Sequence, residues 1–304
     1  MGERGLISVV VPTYNRARDL QRALKSILAQ TYPRWEALVV DNHSEDDTED
    51  VVRRLADPRI RFFKIHNGGV IAASRNVGIR SARGEFVAFL DSDDWWSPRK
   101  LEVSIAALQH GADVVYHDLF SATRPGQRIF WRKHRARDLQ HPVFADLLLN
   151  GNGVCNVSSV VRKTVLDAIG GQSEEPDLVG VEDYDTWLRI AKVTERFQRI
   201  PHTLGYYWTG SGNMTAPERS LRTLDALELR YASALREIDG NGGNYRIHYA
   251  RGRASYRIRS FAMAKASLER VSERRPPLAI RLRCYWMLLR IRLAHPDAER
   301  ENAE

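Results

Sequence analysis

Apolar positions along the first hundred residues follow two alternating rhythms. Leu6-Ile7-Ser8-Val9-Val10-Val11-Pro12 is a β-branched run stopped by a proline, which predicts a buried strand. From Asp19 to Gln30 the apolar residues Leu20, Ala23, Leu24, Ile27 and Leu28 recur at helical spacing. Trp35–Val40 then predicts a second strand, Asp47–Leu55 a helix and Ile60–Ile65 a third strand. After Gly68-Gly69 the segment Ala72–Ser81 is helical and carries Arg75 and Asn76, and Phe86–Leu90 is again a strand. Strand and helix in strict alternation imply parallel βαβ units with right-handed crossovers. Further on, residues 99–109 predict a helix, Ala112–His117 a strand, Asn156–Val161 a strand and Lys163–Ile169 a short helix ended by Gly170-Gly171. An apolar helix containing Trp187, Leu188, Ile190 and Ala191 opens at Glu182-Asp183-Tyr184-Asp185. Ser121–His141 carries eight basic or histidine side chains among Pro and Gly and is expected to be an irregular loop or flap facing an acceptor.

The last third has a different pattern. Pro217–Ile238 predicts one helix, Gly240–Asn244 a linker and residues 246–273 a helical hairpin. Gly252, Ala264, Leu268 and Pro276 have a spacing like that of a tetratricopeptide unit. In Leu278–Leu293, at about 100° per residue, Arg281 and Arg292 share one stripe and Arg283 and Arg290 the opposite one. Two apolar faces remain between them. Packing on its own domain or in a homodimer is one use for them; contact with an anionic membrane surface is another. The expected division is therefore 1–215 for an α/β domain and 216–304 for a helical, basic extension.

Charge sharpens that division. The chain is +8 overall, yet residues 246–292 hold thirteen Lys and Arg against Glu269 and Glu273, so the remainder is mildly acidic. No nucleic-acid motif accompanies the basic segment, and no nucleic acid is expected as a partner. The two cysteines, Cys155 and Cys284, lack metal-ligand or redox spacing and fit a reducing compartment. Leu6–Pro12 is too short for a signal-peptide core, and no run approaches the ~20 apolar residues of a membrane span. A cytoplasmic protein is expected, peripheral to the inner face of the membrane if the C-terminal helix binds lipid.

The chemistry concentrates where Phe86-Val87-Ala88-Phe89-Leu90 runs into Asp91-Ser92-Asp93-Asp94. Carboxylates this close repel one another unless a cation sits among them. A divalent ion with its phosphates supplies one, and hard oxygen ligands suit Mg²⁺ or Mn²⁺. The strand's carboxyl end is also where open α/β sheets bind ligands. A solvated acidic turn is the plainer alternative. Asp41, at the end of the second strand, fits a hydrogen bond to a base or ribose, or an Asx-turn. The 182–185 cluster opens a helix, where carboxylates favour the dipole; it also suits a general base. No GxGxxG or Walker lysine motif follows the first strand, which argues against a dinucleotide dehydrogenase and a P-loop NTPase.

Ser8–Asn15, Asp41, Arg75-Asn76-Val77-Gly78-Ile79, Phe89–Asp94 and Glu182–Leu188 together resemble, in order and spacing, glycosyltransferase family 2 with the GT-A fold, over roughly residues 6–215. The resemblance implies a mostly parallel sheet flanked by helices. It also implies inverting transfer of a sugar from a nucleotide-sugar, usually a UDP-sugar, to an acceptor hydroxyl on a glycan or lipid-linked molecule during cell-surface polysaccharide or glycoconjugate synthesis. By position, Pro12, Thr13, Tyr14 and Asp41 fall where the family holds the nucleoside, and Arg75 in the wall of the donor pocket. Asp91 and Asp93, flanking Ser92, match the DxD acids, the first towards the ribose and the second on a Mn²⁺ or Mg²⁺ ion. Asp183 matches the general base, with Glu182 beside it. The chain departs from the family at Asn42-His43, where Asp-Gly is usual. It departs again in Tyr206–Ser211, where many relatives carry an Arg and a His that help hold metal or phosphate. Two other classes were weighed: a sugar nucleotidyltransferase, opposed by the absence of a Gly-rich, basic nucleotide loop, and a catalytically dead adaptor working through its basic tail, opposed by the intact acids.

Overall fold

The computed structural model describes residues 2–124, 126–210, 217–239, 245–273 and 276–294. The predicted linker 240–244 and Ser211 lie outside them. The chain forms two compact units, Met1–Phe144 with Asn152–Asn213, and Ala145–Gly151 with Met214–Glu304.

The first unit opens with the predicted alternation: β1 (Glu3–Thr13), α1 (Ala17–Leu28), β2 (Trp35–Asp41), α2 (Thr48–Leu55), β3 (Ile60–Lys64), α3 (Ile71–Ser81) and β4 (Gly84–Phe89). These four strands are mutually parallel, in the spatial order β3-β2-β1-β4. The central strands β1, β2 and β4 are largely apolar because both faces are covered, whereas β3 at the edge carries Arg61 and Lys64 and is only half-buried. Ile7, Val9 and Val11 are buried in one cluster with Leu20, Leu24 and Ile27 of α1. On the other face α3 comes so close to β1 that a methyl group at Gly78 would overlap the Val10 side chain. After β1 the chain goes to β2 on one side and later to β4 on the other. The crevice at the carboxyl ends of β1 and β4 is thus a topological switch point.

Beyond β4 the sheet is mixed. It continues through β5 (Trp95–Trp96), α4 (Lys100–Gln109), β6 (Val114–Ala122), β7 (Lys133–His134), α5 (Val143–Asn150), β8 (Val160–Arg162), α6 (Lys163–Ala168), α7 (Glu182–Ala191) and β9 (Phe197–Trp208). The short β8 enters antiparallel between β4 and β6, β9 lies parallel to β6, and β5 pairs antiparallel with β9. The fold class is α/β as expected, but uninterrupted parallel βαβ repetition stops at β4. The predicted strand Asn156–Val161 is a 3-10 turn over Asn156–Ser158 followed by β8. Ser158 and Ser159 cause the difference: their hydroxyls donate back to the Cys155 and Asn156 carbonyls at 2.7 Å each, in competition with an extended ladder. β6 extends into the start of the predicted irregular stretch 121–141, and the two-residue β7 lies within it.

The second unit is helical: α8 (Pro217–Arg230), α9 (Ala232–Asp239), α10 (Tyr245–Arg257), α11 (Phe261–Glu273) and α12 (Leu278–Ala294). The single helix predicted over 217–238 is interrupted at Tyr231. The predicted hairpin is α10 against α11, where Gly252 leaves room for Leu268 and the Ala264 carbonyl. Among the described residues no helix is long and apolar enough to cross a membrane.

Candidate active site

Three loops meet at the switch point. The loop after β1 starts at Thr13, whose side chain is buried with its hydroxyl unpartnered, and passes to Tyr14, which is 53% exposed. Asn15 takes a left-handed backbone, φ 49°, which Asn tolerates better than most residues. It locks this loop to the next: Asn15 N–H donates to Ser44 Oγ at 2.8 Å, and Glu45 N–H donates to Asn15 Oδ1 at 2.8 Å. Asp41, register partner of Thr13, is buried and accepts from the Ser44 N–H and hydroxyl. This is an Asx-turn-like cap. The departure Asn42-His43 has local roles. Asn42 Oδ1 accepts from Asn67 N–H at 2.9 Å, and the His43 ring stacks on His66 at 3.7 Å between centroids.

The acid-rich turn after β4 is the second component. Asp94 N–H closes it onto the Asp91 carbonyl at 3.0 Å, and Ser92 is buried within it. Asp93 is pushed up to about 6, first by burial and then by Asp91, with Arg16 opposing. Asp94 is raised well above the usual carboxylate range, again by burial and then by Asp93 and Asp91. One of its oxygens accepts from Trp208 N–H at 2.6 Å; the other is buried without a partner. These are hard oxygen donors that resist ionisation together, the chemistry a divalent cation relieves. Among the described residues, however, no three His, Cys, Asp or Glu side chains form a complete metal-ligand set.

The third component comes from the far end of the unit. Arg75, on α3 and 3% exposed, donates to Asp91 Oδ1 at 2.8 Å and to Glu182 Oε1 at 2.7 Å. The second Glu182 oxygen accepts from Gly180 N–H at 2.5 Å, so both of its oxygens are engaged. Asp183 differs. Among the described residues it accepts from the Asn152 side chain at a long 3.4 Å and from the adjacent Tyr184 N–H at 2.6 Å. Burial, and then the Glu182 charge, push Asp183 up to about 7 although Arg75 acts against them. Asp185 is fully buried and tied to Arg189 at 2.8 Å, which in turn donates to the Ile169 and Gly171 carbonyls.

The structure therefore gathers Arg75, Asp91, Ser92, Asp93, Glu182 and Asp183 into one acidic site. Pro12 and Thr13 end β1, Asp41 ends the adjacent β2, and Tyr14 opens the loop after β1. Several participants were not singled out from the sequence. Asn76 donates to the Gln172 carbonyl and to Glu174, both at 2.8 Å, and so fastens the 171–174 loop to α3. Gly171, at φ +81°, admits Asn76 where a methyl group would overlap it. Arg22 on α1 donates to the Asp93 carbonyl at 2.6 Å and lies 4.2 Å from the Trp95 ring centroid. Tyr207 is raised by burial and then by Cys155, Asp94, Asp91 and Asp183, which puts its hydroxyl within electrostatic reach of the whole acid cluster. Their signals were spread over single residues with no spacing between them to read. A separate cavity of about 670 Å³, lined by Arg4, Arg83, Glu85, Arg162 and Lys163, opens at the amino ends of β1 and β4 and contains none of these groups.

The α/β sheet has acids at its switch point, faced by the acidic start of α7, and comparison with known proteins places the chain in a family. A sequence model of glycosyl transferase family 2 matches residues 8–170. The chain is 30% identical over 196 residues to the Escherichia coli UDP-Glc:alpha-D-GlcNAc-diphosphoundecaprenol beta-1,3-glucosyltransferase WfgD, covering 62% of this chain and 70% of the relative. Among solved structures, Staphylococcus aureus TarS residues 1–349 in complex with UDP-GlcNAc superposes with a TM-score of 0.61 at 20% identity, over 89% of this chain and 82% of that one. The Pyrobaculum calidifontis mannosyltransferase PcManGT in complex with GDP-Man and Mn²⁺ superposes with a TM-score of 0.57 at 21% identity, over 94% and 80%. The two superpositions establish a shared fold. The chain belongs to glycosyltransferase family 2.

Proposed function

We propose that this glycosyltransferase moves a sugar from a nucleotide-sugar, a UDP-sugar before others, to an acceptor hydroxyl with inversion, and that Asp183 is the base. The observation that carries this is the contrast between neighbours: Glu182 spends one oxygen on the Arg75 guanidinium and the other on Gly180, while Asp183 has no cationic hydrogen-bond partner among the described residues, holds one oxygen only by a long 3.4 Å bond from Asn152, and is pushed up to about 7. A carboxylate that ionises near neutral pH is a better proton acceptor than one of ordinary pKa.

In the proposed reaction the acceptor O–H gives its proton to an Asp183 carboxylate oxygen as the new C1–O bond forms. The bond from C1 to the phosphate oxygen breaks at the same time, and the nucleoside diphosphate leaves with the electron pair. Thr13, Tyr14 and Asp41 hold the nucleoside side of the donor. Asp91, fixed by Arg75, faces the ribose. Asp93, helped by Asp91, would hold a Mn²⁺ or Mg²⁺ ion, which when bound stabilises charge on the leaving diphosphate. The unpartnered Asp94 oxygen and the mutual repulsion of the three acids support that ion. The incomplete protein ligand set fits an ion that shares its coordination with phosphates and water. Glu182 is a positioning residue acting through Arg75.

The substrates in the name of the Escherichia coli relative, UDP-Glc and alpha-D-GlcNAc-diphosphoundecaprenol, support a UDP-sugar donor and a lipid-linked acceptor, with a place in cell-surface polysaccharide or glycoconjugate synthesis. Thermal-shift titration of UDP, GDP, dTDP and CDP, with Mn²⁺ and with chelator, tests the donor side. A shift for UDP that grows with Mn²⁺ is expected, since a ligand that binds only the native state stabilises it. No shift for any nucleotide in either condition contradicts the reading.

A further inference from the structure

The second unit covers one face of α12 and leaves the other bare. Cys284 and Ile291 are buried in a cluster with Ala264, Leu268 and Val271, and Ile280, Met287 and Leu288 pack against it. On a helical wheel these five α12 positions share an arc of about 100°. Almost opposite lie Leu278, Leu282, Tyr285, Trp286 and Leu293, which are 67%, 51%, 59%, 59% and 76% exposed. They too fall within an arc of about 100°, which makes a continuous apolar stripe rather than the scattered exposed apolar residues normal for a surface. Arg281 and Arg292 border it on one side and Arg283 and Arg290 on the other; all four are exposed. The helix has no Asp or Glu.

We propose that this face of α12 lies in the interfacial layer of an anionic lipid bilayer, with the helix axis in the membrane plane. The observations divide the candidate occupants. A spanning orientation is excluded for a helix whose other face is buried in its own unit, and α12 is not apolar enough to cross. A two-fold pairing with a second copy would bring four arginines per chain together with no carboxylate on the helix to answer them. A nucleic-acid backbone would answer the arginines but leave the central Leu, Tyr and Trp side chains unmatched. A lipid surface matches both: acyl chains below the stripe, phosphates at its margins, and the amphipathic Trp and Tyr rings at the boundary. The wider charge agrees, since residues 246–292 carry thirteen Lys and Arg against two Glu. This inference is independent of the proposed transfer chemistry and fails or stands without it.

Sedimentation of the full chain with phosphatidylcholine vesicles, with and without phosphatidylglycerol, tests it. Binding to the anionic vesicles roughly tenfold or more tighter than to the neutral ones is expected, weakening at high salt. Leu282→Glu with Trp286→Glu places charge on exposed positions, so folding, checked by thermal melting, is retained while vesicle binding falls to background. Replacing the four arginines by Gln removes the preference for anionic lipid. The proposal is overturned if the full chain stays in the supernatant with anionic vesicles at low salt, or if the Glu variant binds them undiminished. It is also overturned if the free chain is a dimer that the Glu variant dissociates, or if duplex DNA outcompetes the vesicles.

Discussion

Asp91 and Glu182, ninety-one positions apart in sequence, are held by a single guanidinium: Arg75 reaches the first at 2.8 Å and the second at 2.7 Å. The end of β4 and the start of α7, which carries the proposed base, are thereby set against one buried cation.

Removing that cation leaves two carboxylates facing each other with little solvent. Arg75→Met is expected to lower stability by about 3–5 kcal/mol, the range for breaking one partner of a buried pair. Arg75→Lys keeps the charge but cannot span both partners, so it should melt nearer the wild type and still lose transfer activity. Thermal unfolding alongside a transfer assay separates the two effects. A fully active Arg75→Lys enzyme would show that bridging by the guanidinium is dispensable.

The raised Asp183 has a sign that can be tested in stability. Its folded-state value of about 7 lies above the ordinary 3.8, so the folded chain prefers the neutral acid. Stability is therefore lost as pH rises from about 4 through about 7. Asp183→Asn should leave the melting temperature nearly unchanged at pH 4 and raise it at pH 8. A variant that is equally or more destabilised at pH 8 would mean that Asp183 is ionised without strain.

Activity should follow the same group with the opposite benefit. The base works only when deprotonated, so kcat/KM should rise with pH through a limb near 7. Because the Arg75 charge lowers the Asp183 value, displacing that charge in Arg75→Lys should move the limb to higher pH. A limb that stays in place would separate Asp183 from the observed titration.

Much of the fold was legible in the sequence, for an identifiable reason. β1, β2 and β4 are buried on both faces, so each reads as a largely apolar run, broken only by single polar positions such as Ser8 and Glu36. β9 escaped because Pro201, His202 and Gly205 interrupt its pattern, and its register against β6 shifts between His117 and Asp118, near the proline. The acids at 91, 93, 182 and 183 were legible as clusters, whereas the division of labour between Glu182 and Asp183 was not. It depends on Arg75 and Gly180, which hydrogen-bond to Glu182 and not to its neighbour. In α12 the spacing revealed two apolar faces, but only packing against the α11 residues Ala264, Leu268 and Val271 decides which of them is covered.

Gly171→Ala tests the support behind the base. The position has φ +81°, and an added methyl group would overlap Asn76 Oδ1. A loss of about 1–3 kcal/mol is expected from backbone strain and overpacking together. Unfolding in urea, monitored by tryptophan fluorescence, gives the value; a change within error would mean that the 171–174 loop relaxes freely.

The most direct measurement is the initial rate of sugar transfer by Asp183→Asn beside Glu182→Gln and Asp185→Asn, with UDP affinity measured for each. Asp183→Asn is expected to lose a factor on the order of 10² or more in transfer while binding UDP normally, because positioned proton transfer contributes ~10²–10⁴. Glu182→Gln should lose less and Asp185→Asn should mainly lose stability, since its buried partner is Arg189. Near-normal transfer by Asp183→Asn, with collapse in either neighbour, would contradict the assignment of the base.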